Sequence, residues 1–235
     1  MDRTIRRHRA APASKRQGRR FASRCGVTLA CRAAVLAVAF AGVAHAEDKG
    51  TVAKRDVAAK LAYCEVCHGV SAQGFHGYYP IPRLAGQQTE YLENQLQAFV
   101  ERRRTSNIMF NVGHVLSPAM ITALAADFHD LNPKPLGGAP KELAAGGKKI
   151  FDEGIPAADV PACSSCHGAD AKGNGAFPRL AGQLFDYLAG KLKNWDKERG
   201  QNPSQPDTSA LMQPIAHKLT DAQIKAVAAY LSYLE

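Results

Sequence analysis

The sequence lacks a hydrophobic run long enough to cross a membrane. Its longest uncharged apolar stretch, Ala33 to Ala44, is twelve residues, against the roughly 20 that a helix needs to span a bilayer. It also lacks basic surface where a nucleic acid would need it. The 235-residue chain has a formal charge of +9, yet residues 1–46 hold ten Lys or Arg against one acid, Asp2, and account for all of that excess. Residues 47–235 carry 20 basic and 20 acidic side chains. No nucleic-acid partner is expected, because phosphate binding needs positive charge on the working domain. Aromatic residues are few, at 7%, but 46% hydrophobic content is enough for small packed cores and excludes a disordered chain. No stretch carries a convincing strand pattern, so the expected class is all-α.

The first 46 residues read as an export signal. A basic, acid-poor segment precedes the twelve apolar residues, and Ala44-His45-Ala46 then offers small residues at the two positions a signal peptidase reads. The competing reading is an uncleaved amphipathic anchor with peripheral membrane association. Cleavage would start the mature chain at Glu47, and the expected location is outside the cytoplasmic membrane.

Of six cysteines, Cys25 and Cys31 leave with the leader. The other four form two Cys-x-x-Cys pairs, each followed directly by histidine: Cys64, Cys67, His68 and Cys163, Cys166, His167. Two disulfides would not require the histidines. A single four-cysteine zinc site usually separates its pairs by about 15–20 residues, whereas 95 lie between Cys67 and Cys163. A redox dithiol would explain one pair only. Covalent haem attachment explains all of it: two thiols add across the two vinyl groups of one haem edge, and the helical turn between them brings the following histidine under the iron as proximal ligand. Two covalently bound haem c groups are expected. Gly69 and Gly168 follow where the chain must turn away.

The rest of the chain is one unit written twice. Pro82-Arg83-Leu84-Ala85-Gly86-Gln87 recurs as Pro178-Arg179-Leu180-Ala181-Gly182-Gln183. Tyr91, Leu92, Leu96 and Phe99 correspond to Tyr187, Leu188, Leu192 and Trp195, on one helical face. Met109, His114 and Ser117 match Met212, His217 and Thr220, with Ser117 and Thr220 as N-caps of a last helix in each half. Each unit is expected to run helix, haem motif, loop, helix, methionine loop, helix, with first helices near 51–65 and 141–152. The domains are then 47–131 and 141–235, joined by the Pro- and Gly-rich linker 132–140. The second unit's longer loop, 200–209, is polar and is expected at the surface.

A methionine thioether opposite the histidine would raise the reduction potential and make an electron carrier. Met109 and Met212 hold equivalent positions and are the expected sixth ligands; His114 and His217, also duplicated, are the rivals. Met120 aligns with Gln223 and is read as a packing residue. Unmatched His76 and His129 are expected at the surface. The carbonyls of Pro82 and Pro178 are candidates to hold the second ring nitrogen of His68 and His167. Arg83 and Arg179 are candidates to pair with haem propionates, the alternative being solvent exposure. Arg102, Arg103 and Arg104 close the helix that begins near Thr89, where positive charge suits the helix dipole.

Two Cys-x-x-Cys-His units, each with Pro-Arg-Leu-Ala-Gly-Gln and a late methionine, and the short linker between them resemble the dihaem cytochrome c4 type over nearly all of residues 51–235. The resemblance implies two class I cytochrome c domains whose haems face across an internal pseudo-twofold. It implies a periplasmic carrier, not an enzyme, whose redox partners are a membrane donor complex and a terminal oxidase or other acceptor. Similar chains also serve as the cytochrome subunit of a dehydrogenase such as a flavoprotein, and a dihaem redox enzyme is the remaining alternative. The chain departs from the family in its last helices: Ala229-Tyr230-Leu231 stands in the second unit but Ala126-Asp127-Phe128 in the first.

Overall fold

The computed structural model describes residues 52–199, 204 and 208–235. The export signal expected in 1–46 and most of the loop 200–209 lie outside the described residues. Ten α-helices are present among them: α1 Lys54–His68, α2 Thr89–Val100, α3 Asn107–Gly113, α4 Pro118–Asp130, α5 Ala144–Glu153, α6 Ser164–His167, α7 Phe185–Lys193, α8 Trp195–Glu198, α9 Ser209–Lys218 and α10 Asp221–Ser232. Strand pairing among the described residues is confined to four isolated bridges, so the all-α expectation holds.

Each half packs its last helix over its own core. In the first, Leu124, Ala125 and Phe128 of α4 meet Val57, Ala72, Ala85 and Leu92. In the second, Val227, Ala228 and Leu231 of α10 meet Phe151, Ala171, Ala181 and Leu188. Both last helices start at a side-chain cap. Ser117 accepts from the Met120 amide, and Thr220 and Gln223 form a reciprocal capping box, which satisfies amides that helix geometry leaves without partners. Met120 packs against the first core.

The halves differ where the sequence repeat is imperfect. α1 runs unbroken through Cys64 and Cys67 to His68, merging the expected first helix with the haem motif. In the second half α5 stops at Glu153 and a loop intervenes before α6. Gly154 makes that break with φ +71°; a Cβ there would sit 2.3 Å from the Val160 carbonyl oxygen, so only glycine fits. Tyr230 packs beside the Phe151 ring, centroids 5.7 Å apart, whereas its counterpart Asp127 is exposed. The departure in the last helix is thus a real difference in packing.

The expected methionine loops are short helices instead: Met109 is the third residue of α3 and Met212 the fourth of α9. Ser106 accepts from the Met109 amide at 3.2 Å and nucleates α3, a cap that the repeat comparison did not bring out. The linker is pinned at both ends. Arg83 Nη1 donates to the Pro133 carbonyl oxygen at 2.8 Å, and the Tyr233 hydroxyl donates to that of Ala139.

Candidate functional site

Both haem motifs end at the same local structure. The His68 carbonyl accepts from the Gly74 amide at 2.7 Å, and that of His167 from Gly173 at 2.8 Å. Next, Ala72 and Ala171 adopt left-handed φ of 54° and 56°. Each turns its carbonyl to accept two amides of the following hexapeptide, Leu84 and Ala85 in one half, Leu180 and Ala181 in the other. These bonds lay the Pro-Arg strand back against the histidine. His68 Nδ1 lies 2.8 Å from the Pro82 carbonyl oxygen, and His167 Nδ1 lies 2.9 Å from that of Pro178. A carbonyl can only accept, so Nδ1 carries the proton and Nε2 keeps a free lone pair, the tautomer a metal needs. Both rings are buried. Burial pushes both histidine pKa values down, against the opposing pull of the Pro carbonyls, so the neutral ring prevails at neutral pH.

The thiols lie beside them. Cys67 and Cys166 are exposed and Cys64 and Cys163 half-buried, all four unpaired. Burial raises the Cys64 thiol and pushes Cys163 up to about 11. Little of α1 is core: only Val57 and His68 are buried, and Tyr63 and Val66 lie exposed beside Cys67.

Arg83 and Arg179 are buried, 3% and 7% exposed, which overturns the solvent-exposed alternative. Each Nε donates two residues ahead, to Ala85 and Ala181. Burial, and after it Arg179, push the Arg83 pKa down to about 10, so the side chain stays cationic at neutral pH. Arg179 Nη2 is buried without a hydrogen-bond partner. Buried cations with an unsatisfied donor call for an anion. Haem carries two carboxylates on one edge, so the residues present fit it: thiols and an available imidazole nitrogen on one helical turn, and guanidinium donors in the next segment.

The hexapeptides also join the halves. The Arg83 amide donates to Gln183 Oε1 at 2.9 Å, and Gln183 Nε2 donates back to the Arg83 carbonyl at 2.9 Å. Reciprocally, the Arg179 amide donates to Gln87 Oε1 at 2.6 Å, and Gln87 Nε2 to the Arg179 carbonyl at 3.0 Å. A second tier crosses nearby. Arg104 donates to the Tyr187 hydroxyl at 2.6 Å and to Gln95 at 2.8 Å; Arg199 donates to Gln95 at 2.5 Å and to the Tyr91 hydroxyl at 3.3 Å. The arginine triplet is therefore not a helix-end charge cluster. Left-handed Arg102, φ 61°, turns the chain back after α2. The Arg102 guanidinium then lies 3.6 Å from the Phe110 ring centroid, Arg103 bonds Glu101 and Asn94, and Arg104 reaches the other half. The repetition of Gln87 as Gln183 and of Tyr91 as Tyr187 was the available signal for these contacts.

Met109 and Met212 are half-buried. Their rivals are held locally: His114 stacks on Phe110 with Nδ1 3.1 Å from its carbonyl oxygen, and His217 Nε2 lies 2.5 Å from Asp196 Oδ2. His76 and His129 are exposed, though His129 Nδ1 lies 2.9 Å from the Gln87 carbonyl oxygen.

The cytochrome c family model matches residues 57–132 and 144–235. Cytochrome c-552 of Acidithiobacillus ferridurans is 42% identical over 177 residues, 73% of each chain. The thiosulfate dehydrogenase electron acceptor of Thiomonas intermedia is 37% identical over 179 residues, 74% of this chain and 79% of that one. Among solved structures, the cytochrome c4 of Acidithiobacillus ferrooxidans aligns with a TM-score of 0.62 and 40% identity over 74% of this chain and 99% of that one. The duplicated histidine–proline geometry and these likenesses lead to one conclusion: this chain belongs to the cytochrome c family, among the dihaem class I electron-transfer cytochromes of the c4 type, which carry two haem c groups.

Proposed function

We propose that this protein is an exported periplasmic electron carrier without catalysis of its own. The observation that carries the reading is the equivalence of the two sites, each with a buried neutral histidine held through Nδ1 by a proline carbonyl, at 2.8 and 2.9 Å. A dihaem enzyme needs one iron with an open or displaceable position, whereas each half here repeats the same histidine clamp together with an equivalent late methionine, Met109 or Met212, that can close it. Cys64, Cys67, Cys163 and Cys166 would hold the haems, and His68, His167, Met109 and Met212 would supply the ligands to the irons. Bound there, each haem supplies a one-electron couple. Arg83 and Arg179 would offer buried positive charge to the haem carboxylates, Arg179 through its unpartnered Nη2, and the proline carbonyls fix the ring planes, so little rearrangement would accompany a change of charge. The likeness to a thiosulfate dehydrogenase electron acceptor supports a dehydrogenase as donor, and the electrons would pass on to a terminal oxidase or another acceptor. A lasting complex with the dehydrogenase is the second reading, and co-purification at fixed stoichiometry would establish it.

The secreted protein should have the mass of residues 47–235 plus two haems. Its oxidised form should show the near-infrared sulfur-to-iron band. Met109→Ala should remove about half of that band, since the two sites are equivalent, and open one haem to carbon monoxide. Rapid carbon monoxide binding by the unmutated protein would restore the enzyme reading.

A further inference from the structure

The peptide between Pro82 and Arg83 is held at both of its polar ends. Its carbonyl oxygen accepts from His68 Nδ1 at 2.8 Å. Its N–H donates to Gln183 Oε1, in the other half of the molecule, at 2.9 Å. The peptide between Pro178 and Arg179 is held the same way, by His167 Nδ1 at 2.9 Å and by Gln87 Oε1 at 2.6 Å. We propose that Gln87 and Gln183 are positioning residues that tune the opposite half's haem: each glutamine, through one shared peptide group, sets how strongly a proline carbonyl holds the proximal histidine across the interface.

The physical basis is the polarisation of a conjugated amide. Hydrogen bonding at the N–H moves electron density onto the same group's oxygen, and linked bonds strengthen one another by about 10–30% each. A better acceptor at Nδ1 makes the imidazole a more basic ligand, which favours the oxidised iron and lowers the potential. The glutamines are built for this. Gln87 and Gln183 are each 6% exposed, so water does not compete for their amides. Each Oε1 also accepts from the amide that follows it in the chain, Gln88 at 2.9 Å and Leu184 at 3.0 Å, and each Nε2 donates back to the arginine carbonyl. The amide planes are therefore fixed with the oxygen toward the relay peptide. A residue serving only to fill the interface would not need its oxygen on that one N–H.

The inference rests on His68 and His167 being the iron ligands, and the experiment separates the two claims. In the purified dihaem protein, the potentials of both haems would be measured by spectroelectrochemical titration and assigned through the paramagnetically shifted haem-methyl resonances of each half. The shifted ring protons of His68 and His167 would be followed in the same spectra. Absence of shifted ring protons in the unmutated protein would refute the ligand assignment itself. With ligation present, Gln183→Met, which keeps the side chain's length and removes its amide, should raise the first haem's potential and move the His68 ring resonances, leaving the second haem nearly unchanged. Gln87→Met should do the converse. Equal shifts of both haems, or no shift, would overturn the relay. Gln183→Glu keeps an acceptor oxygen on the Arg83 N–H and should not raise the first potential; a rise there would also overturn it.

Discussion

Two adjacent glycines in α5 should respond to alanine with opposite signs. A Cβ at Gly147 would lie 1.9 Å from the Ala226 carbonyl oxygen, 2.5 Å from its carbon and 2.8 Å from Tyr230 Cβ. Two of these three atoms are backbone of α10, so no rotamer change relieves the clash. To restore ordinary contact α10 would have to retreat by about 1.5 Å from a core packed like a crystal, carrying Tyr230 away from Phe151. Overpacking costs roughly 1–3 kcal/mol, and an unyielding backbone puts this site at the upper end. Against that stands the ~1 kcal/mol that alanine gains over glycine within a helix. The net for Gly147→Ala is a loss of about 2 kcal/mol, and at about 2–4 °C per kcal/mol for a chain of this size the Tm should fall by roughly 4–8 °C. Gly146 has only Ala226 Cβ near its added carbon, at 4.0 Å, and is exposed. Gly146→Ala should therefore gain about 0.4–1 kcal/mol. Thermal and denaturant unfolding of the two haem-loaded variants, followed by far-UV circular dichroism, gives both numbers. Shifts of the same sign would refute the close approach of α5 and α10.

Tyr187→Phe removes the hydroxyl 2.6 Å from Arg104 Nη2 and leaves a buried guanidinium donor short of a partner, so stability should fall by about 1–3 kcal/mol; Tyr91→Phe, at the longer 3.3 Å contact, should cost less in the same denaturant titration. Arg179→Gln removes a buried cation and should lower the second haem's potential, and an unchanged spectroelectrochemical curve would show that no carboxylate depends on it. Asp196 is held below the ordinary carboxylate range, first by the Gln213 hydrogen bond and then by His217. Because the folded-state pKa is depressed, its tie between α8 and α9 is complete above the unfolded-state pKa and is lost as pH falls through the folded one. Protection of the α9 amides, measured as exchange relative to the intrinsic rate at each pH, should fall over that acid window, and Asp196→Asn should abolish this fall in protection.

Much of the site is local chemistry and therefore legible in sequence. A Cys-x-x-Cys-His turn needs only its own five residues, and Ser117 and Thr220 announce their helices by capping. The duplication is equally plain, since Pro82–Gln87 and Pro178–Gln183 are the same six residues. What the sequence hides is contact at a distance. Gln87 and Gln183 appear as the tail of a repeated motif, but the groups they bind lie 92 and 100 positions away. Arg104 shares its charge with two neighbours and is distinguished only by the left-handed turn at Arg102, which no residue type advertises. The methionine helices were hidden for a related reason: α3 is seven residues long, too short for a periodic stripe to appear, and its start depends on the single hydroxyl of Ser106.

The exchange of glutamine contacts is isologous: each half offers the other an arginine peptide and a glutamine amide from the same place in its own hexapeptide. Any one half therefore holds both members of the pair, and two identical halves could satisfy the same bonds. What makes first-with-second pairing prevail is the segment 132–140, which turns a bimolecular encounter into an intramolecular one at an effective concentration on the order of millimolar. Severing the chain between Pro135 and Leu136 would leave every contact of the interface chemically intact yet make its occupancy depend on dilution. The linker's contribution is thus statistical: it fixes which two haem units meet, and keeps them together at concentrations where free halves would drift apart.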